Sequence, residues 1–96
     1  MTGQAAPVRL LVHMQALPGA REQMRTTYQT LSASVRDEPG CQEFALYQSI
    51  ERSDDFVLLE RWADEASLRA HGQLLRQRGL ALDSLRRIVR TERYDG

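Results

Sequence analysis

The chain has 96 residues, of which 42% are apolar and 27% charged, with a formal net charge of zero, as expected of one small globular domain. Charge neutrality removes the electrostatic case for a nucleic acid or an anionic membrane as partner, and no apolar run is long enough to cross a bilayer. All 13 basic residues are Arg, so lysine Schiff-base and phosphate-loop chemistry are excluded, and the single Cys41 cannot form an internal disulfide.

Met1 to Pro7 is small and polar and reads as a flexible N-terminal tail, leaving residues 8–96 as a single domain. The start lacks the basic head and long apolar core of a secretory signal, so a cytoplasmic location is expected. Val8, Leu10, Val12, Met14 and Ala16 then alternate at period two, the mark of a strand with one buried face. Pro18-Gly19 ends it. Met24, Tyr28, Leu31 and Val35 recur at spacings of four, three and four, which predicts an amphipathic helix over about residues 20–37. Pro39-Gly40 stops that helix, and two strands follow, Gln42 to Ile50 and Phe56 to Trp62, joined by the polar turn Arg52-Ser53-Asp54-Asp55.

Asp64 is a good N-cap with Glu65 in the first turn, so a second helix should begin there, burying Leu68, His71 and Leu75 with Leu74 beside them. Gly79 should end it, before a short helical piece over Leu80–Leu85 and a last strand from Arg87 to Tyr94. The order is β-α-β-β-α-β, an α+β, ferredoxin-like arrangement of a four-stranded antiparallel sheet with two helices on one face. The other face, with Leu11, Val57, Leu59 and Val89, is left bare, and a homodimer joined through it is the expected way to cover it.

The residues that could carry chemistry cluster near the junction of the third strand and second helix. Leu58, Glu60 and Trp62 share the strand face under the helices, and His71 lies on the apolar stripe of the helix. A mid-strand carboxylate between Leu58 and Trp62 is costly to bury alone, so Glu60 and His71 are expected to pair. Such a pair either orients a general base or is a buried clamp. Trp62 either packs or stacks on a flat ligand, and Tyr47 either adds a phenolic donor to the same cavity or packs across the sheet. Leu58, Leu68 and Leu75 are the remaining candidate walls of a substrate cavity. His13 faces away from the helices and receives no catalytic role, and nothing near Cys41 in the sequence lowers its pKa. No metal-ligand spacing or nucleotide loop is present, so neither a metal nor another cofactor is expected.

Leu17-Pro18-Gly19 after the first strand, Glu38-Pro39-Gly40-Cys41 before the second, and Phe56-Val57-Leu58-Leu59-Glu60-Arg61-Trp62 followed by Ala66, Leu68 and His71 resemble the antibiotic biosynthesis monooxygenase (ABM) domain. The resemblance covers nearly the whole chain and implies a dimeric α+β barrel with a cavity between sheet and helices in each subunit. Within that family some members oxidise phenolic polyketides with molecular oxygen and no cofactor, others degrade haem, and others isomerise small molecules. Trp62, Glu60 and His71 match common family positions. Where the quinone-forming type has an Asn and a Tyr around the Trp, this chain has Leu58 and Leu68. Where the haem-degrading type has a second-helix His and a first-strand Asn, it has Ala81 and Val12, which argues against haem. The resemblance thus implies a cofactor-independent monooxygenase of secondary metabolism acting on a small aromatic substrate and O2, with His71 as base, Glu60 orienting it, and Trp62 and Tyr47 holding the ring. The alternative is a non-oxidative isomerase or cyclase, or a small-molecule-binding module, on the same fold.

Overall fold

Alternation of apolar and polar side chains lays down the sheet, and a 3.6-residue apolar period lays the first helix on it. The computed structural model describes residues 6–96. Its elements are β1 (Val8–Ala16), α1 (Arg21–Val35), β2 (Cys41–Gln48), β3 (Asp55–Trp62), α2 (Glu65–Arg78) and β4 (Arg86–Asp95), with a 3-10 turn at Leu82–Ser84. Residues 1–5 of the expected tail lie outside the described residues; Pro7 accepts a backbone hydrogen bond from Gly96 at 2.9 Å.

The strands run in the spatial order β2-β3-β1-β4, every neighbour antiparallel, which is the expected ferredoxin-like topology. In the central pair Leu10 stands opposite Glu60, Val12 opposite Leu58 and Met14 opposite Phe56. Against β4 the register slips between His13 and Met14: His13 pairs with Arg90 but Met14 with Ile88, leaving Val89 as an extra residue. A bulge of this kind reverses which face the following side chains address. It puts Ile88 and Thr91, three residues apart, on the inner face together.

Met24, Tyr28, Leu31 and Val35 of α1 are all buried against Val12, Met14, Phe44, Phe56 and Leu58, as their spacing predicts. The second helix is fastened differently. His71 is its one buried residue; Leu68 and Leu75 are partly buried against the core, and Leu74 is exposed. Asp64 caps the helix by accepting from the Ser67 N–H at 2.8 Å, and Gly79 ends it in the left-handed conformation at φ 64°.

The turn between α1 and β2 sets the position of Glu38. The Glu38 N–H bonds to the Val35 carbonyl at 2.9 Å, the Cys41 N–H to the Glu38 carbonyl at 3.1 Å, and the Ala63 N–H to the Gly40 carbonyl at 2.8 Å. Gly40 has φ 81°, and a Cβ there would stand 2.0 Å from Ser67 Oγ, so the turn lies directly on the first turn of α2. Gly40→Ala should therefore cost about 3 kcal/mol or more, combining left-handed strain with overpacking. Gly79→Ala has the same kind of φ but open space around it, and should cost only about 1–2 kcal/mol. Urea unfolding of the two variants measures the difference.

Candidate active site

His71 sits where α2, β3 and the Glu38 turn meet. Its Nδ1 is 2.9 Å from Glu38 Oε1, and its Nε2 is 4.0 Å from Glu60 Oε1. The ring stacks on Trp62, with centroids 4.6 Å apart at an interplanar angle of 29°, and meets the edge of Phe44 at 5.6 Å. Trp62 Nε1–H in turn donates to Glu60 Oε1 at 3.0 Å. The His71 and Glu38 side chains are 6% and 8% exposed, so this is a buried arrangement in which each charge requires a partner.

Glu38 is the residue that sequence reasoning missed. The expected partner of His71 was Glu60, and the structure brings the two close, but it gives the hydrogen bond to Glu38 and occupies Glu60 with Trp62. One signal was available: a Glu just past the C-terminal end of α1 opposes the helix dipole, so another contact must account for it. The remaining Glu38 oxygen, Oε2, has no hydrogen bond among the described residues, and the Arg78 guanidinium stands 3.6 Å from it. With a carboxylate taking the Nδ1 proton in a hydrogen bond, the Nε2 lone pair is the free basic position.

Burial pushes the Glu60 carboxyl above the ordinary glutamate value; the hydrogen bond from Trp62 and the nearby His71 oppose the shift, and Glu38 adds to it. Glu60 is thus biased toward its neutral, proton-carrying form.

His71 and Glu60 line a cavity of about 210 Å³ between the sheet and the helices. Leu58 and Leu75 are among its walls, with Val12, Met14 and Phe44. Its rim runs along β4, where Ile88 and Thr91 are exposed. The other expected lining residues are placed elsewhere. Trp62, fully buried, lies behind the imidazole and acts on it by stacking, and Leu68 packs on the core outside the cavity lining. Tyr47 does not enter the cavity: Phe44 and Leu46 take the inner face of β2, and period two turns Tyr47, 55% exposed, to the open face beside His13 and Val57. Among the described residues no group of three His, Cys, Asp or Glu side chains is arranged to hold a metal ion, and no helix is long and apolar enough to cross a membrane.

The family model described as antibiotic biosynthesis monooxygenase matches residues 7–78, well over half of the sequence. The chain belongs to the antibiotic biosynthesis monooxygenase family. YcnE of Bacillus subtilis (strain 168), a provisionally named monooxygenase, is 28% identical over 89 residues, covering 86% of this chain and 94% of YcnE. Among solved structures, PA3566 from Pseudomonas aeruginosa is 26% identical with a TM-score of 0.77, covering 99% of this chain and 96% of its own. SnoaB of Streptomyces nogalater, described as a cofactor-independent oxygenase, shares the fold at a TM-score of 0.77 and 18% identity, covering 94% of this chain and 92% of its own. The ABM match spans the site from Glu38 to His71 and stops before β4, so the rim residues Arg86, Ile88 and Thr91 lie beyond it.

A raised Glu60 pKa has a definite sign for stability. Between the ordinary carboxylate value and the raised one the folded state binds more protons than the unfolded state, so stability falls as pH rises through that window. Glu60→Gln keeps an oxygen for Trp62 and cannot ionise. Its stability relative to the parent should therefore improve from about pH 4.5 to about pH 7.5, as read by urea unfolding at both values.

Proposed function

We propose that this ABM-family chain is a cofactor-independent monooxygenase that oxidises a small phenolic or enolisable aromatic substrate with O2. The observation that carries the reading is a buried imidazole, hydrogen-bonded at Nδ1 to Glu38 and with Glu60 near its Nε2, on the wall of a cavity lined mostly by apolar residues. The cavity volume, about 210 Å³, lies below the usual range of about 300–1,000 Å³ for sites that take drug-sized ligands, which favours a substrate of one or two rings.

In this scheme Nε2 of His71 removes a proton from an activated C–H, and Glu38 stabilises the imidazolium that forms. The resulting carbanion supplies the electrons. It reduces O2 and combines with it to give a hydroperoxide, taking one proton, and loss of water then leaves a carbonyl. A CH2 group and O2 thus become C=O and H2O, with one oxygen atom in each product. Glu60, biased toward its neutral form, is placed to hand a proton to the reduced oxygen. The apolar walls keep water from quenching the carbanion.

A proton-shuttling isomerase or cyclase is the second reading. It is favoured by Leu58, which makes part of the cavity wall apolar, and by a set of polar groups suited to proton transfer in general. Oxygen uptake by the parent separates the readings, and His71→Asn tests the base in either, because an Asn amide can still donate to Glu38 while the base is gone. Oxygen uptake with hydroxylated naphthols should fall about 10²- to 10⁴-fold in the variant, in the range expected for loss of a positioned base. No uptake by the parent, together with His71-dependent exchange of the substrate C–H for solvent deuterium, would favour the isomerase.

The catalytic unit in this reading is a homodimer joined through the open sheet face, where Leu11, Val57 and Leu59 are half-buried and Val89 is half exposed. Leu59→Arg should sediment as a monomer while the parent sediments as a dimer; identical sedimentation of the two would refute this interface.

A further inference from the structure

The cavity has a second polar end. Along β1, Leu10 pairs with Glu60 at the His71 end, and Met14 pairs with Phe56 and Ile88. Four residues of strand separate the two levels by about 13 Å. At and just beyond the Met14 level two further polar side chains enter the lining, Tyr28 and Arg86, the latter from opposite Ala16. Arg86 Nε–H donates to the Tyr28 hydroxyl at 3.4 Å, and the Tyr28 O–H donates to Met14 Sδ at 3.6 Å.

Both groups are under-used as donors. A thioether is a weak acceptor, so the Tyr28 hydroxyl, in a residue 2% exposed, gains little from its present partner. The Arg86 side chain is only 10% exposed, yet the one carboxylate bonded to it, Asp83 at 2.6 Å through Nη1, is 99% exposed. A pair with one member in open solvent contributes at most about 1 kcal/mol. Nη2 of Arg86 has no partner among the described residues. Burial works against the guanidinium charge, while the bonds to Tyr28 and Asp83 more than offset it, so the group stays cationic. A largely buried cation whose carboxylate partner stands in open solvent, with one donor unused by the protein, beside a hydroxyl free to turn, on the wall of a mostly apolar cavity, suits a bound anion.

We infer that Arg86 and Tyr28 form an oxyanion anchor, and that the substrate is a small aromatic acid whose carboxylate binds there while its reactive carbon lies toward His71. The β4 bulge at Val89 is what phases Arg86 and Ile88 onto the same face as Thr91. The inference rests on the cavity assigned above as the substrate site, but not on the reaction being an oxidation. It adds a specificity residue, Arg86, that lies outside the ABM match.

The test is anaerobic calorimetric titration of the full chain with 6-hydroxy-2-naphthoate and with its methyl ester. A charge-assisted hydrogen bond should make the carboxylate bind about tenfold more tightly than the ester. Arg86→Met, which keeps the aliphatic stem, should erase that preference while the ester binds as before. If Arg86→Met fails to fold by circular dichroism, Tyr28→Phe decides: weakening of the carboxylate by about threefold or more with an unchanged ester supports the anchor, and unchanged carboxylate binding overturns it. Equal binding of acid and ester by the parent, or a preference that survives Arg86→Met, also overturns it. Because oxygen is absent, a protein that prefers the acid but shows no oxygen uptake would keep the anchor and lose the oxygenase reading, and uptake with no preference would do the reverse.

Discussion

The hydrogen bond between His71 and Glu38 is the interaction on which the rest of this molecule depends. Most helices of a small α+β domain are held by an apolar stripe, as α1 is; α2 places an imidazole at the centre of its buried face, with half-buried leucines on either side. A polar group can anchor a helix only if its hydrogen-bonding capacity is met, because an unmet buried donor costs about 1–3 kcal/mol. Glu38 supplies that partner, Trp62 and Phe44 supply the surrounding aromatic surface, and Gly40 lets the loop bearing Glu38 come close enough. The same contact that docks the helix leaves Nε2 unbonded on a residue that lines the cavity, so the structural anchor and the candidate base are one side chain.

The electrostatics of the site follow from placing two carboxylates around one imidazole with little solvent. Glu38 receives the hydrogen bond and has Arg78 nearby, whereas Glu60 has the indole N–H and a longer approach to His71. The first carboxylate has two polar neighbours and the second is pushed toward protonation by burial, a difference between chemically identical groups that their surroundings alone bring about. Separation of this kind suits a site that must both accept and return a proton.

Most of the fold was legible because its signals are periodic. The β1 alternation, the α1 stripe, the Asp64 cap and the Gly79 stop all appear as expected, with the ends of α1 drawn in to Arg21 and Val35. His71 and Glu60 were also legible, since each breaks an apolar pattern. Glu38 was hidden because its role arises from a loop returning over a helix, which no local pattern encodes. Tyr47 was misplaced because an aromatic residue in a strand speaks only of burial until the register is known, and in β2 the inner face belongs to Phe44 and Leu46. Arg86 was invisible for a different reason: on a regular strand alternation alone would put it with Arg90 and Glu92, and the extra residue at Val89 reverses that assignment.

That extra residue makes the outer half of the cavity unusually easy to rewrite. The upper part of β4, from Arg90 to Asp95, is in register with β1, and the core is built by other strands, by α1 and by Leu82 and Leu85 ahead of β4. If Val89 itself paired with Met14, the ladder would be regular and Arg86 and Ile88 would turn to the opposite face, leaving the His71 end untouched. Among descendants of such a chain, the lining of this end could therefore diverge by a one-residue slip of the lower half of β4, with no substitution at His71, Glu38 or Glu60.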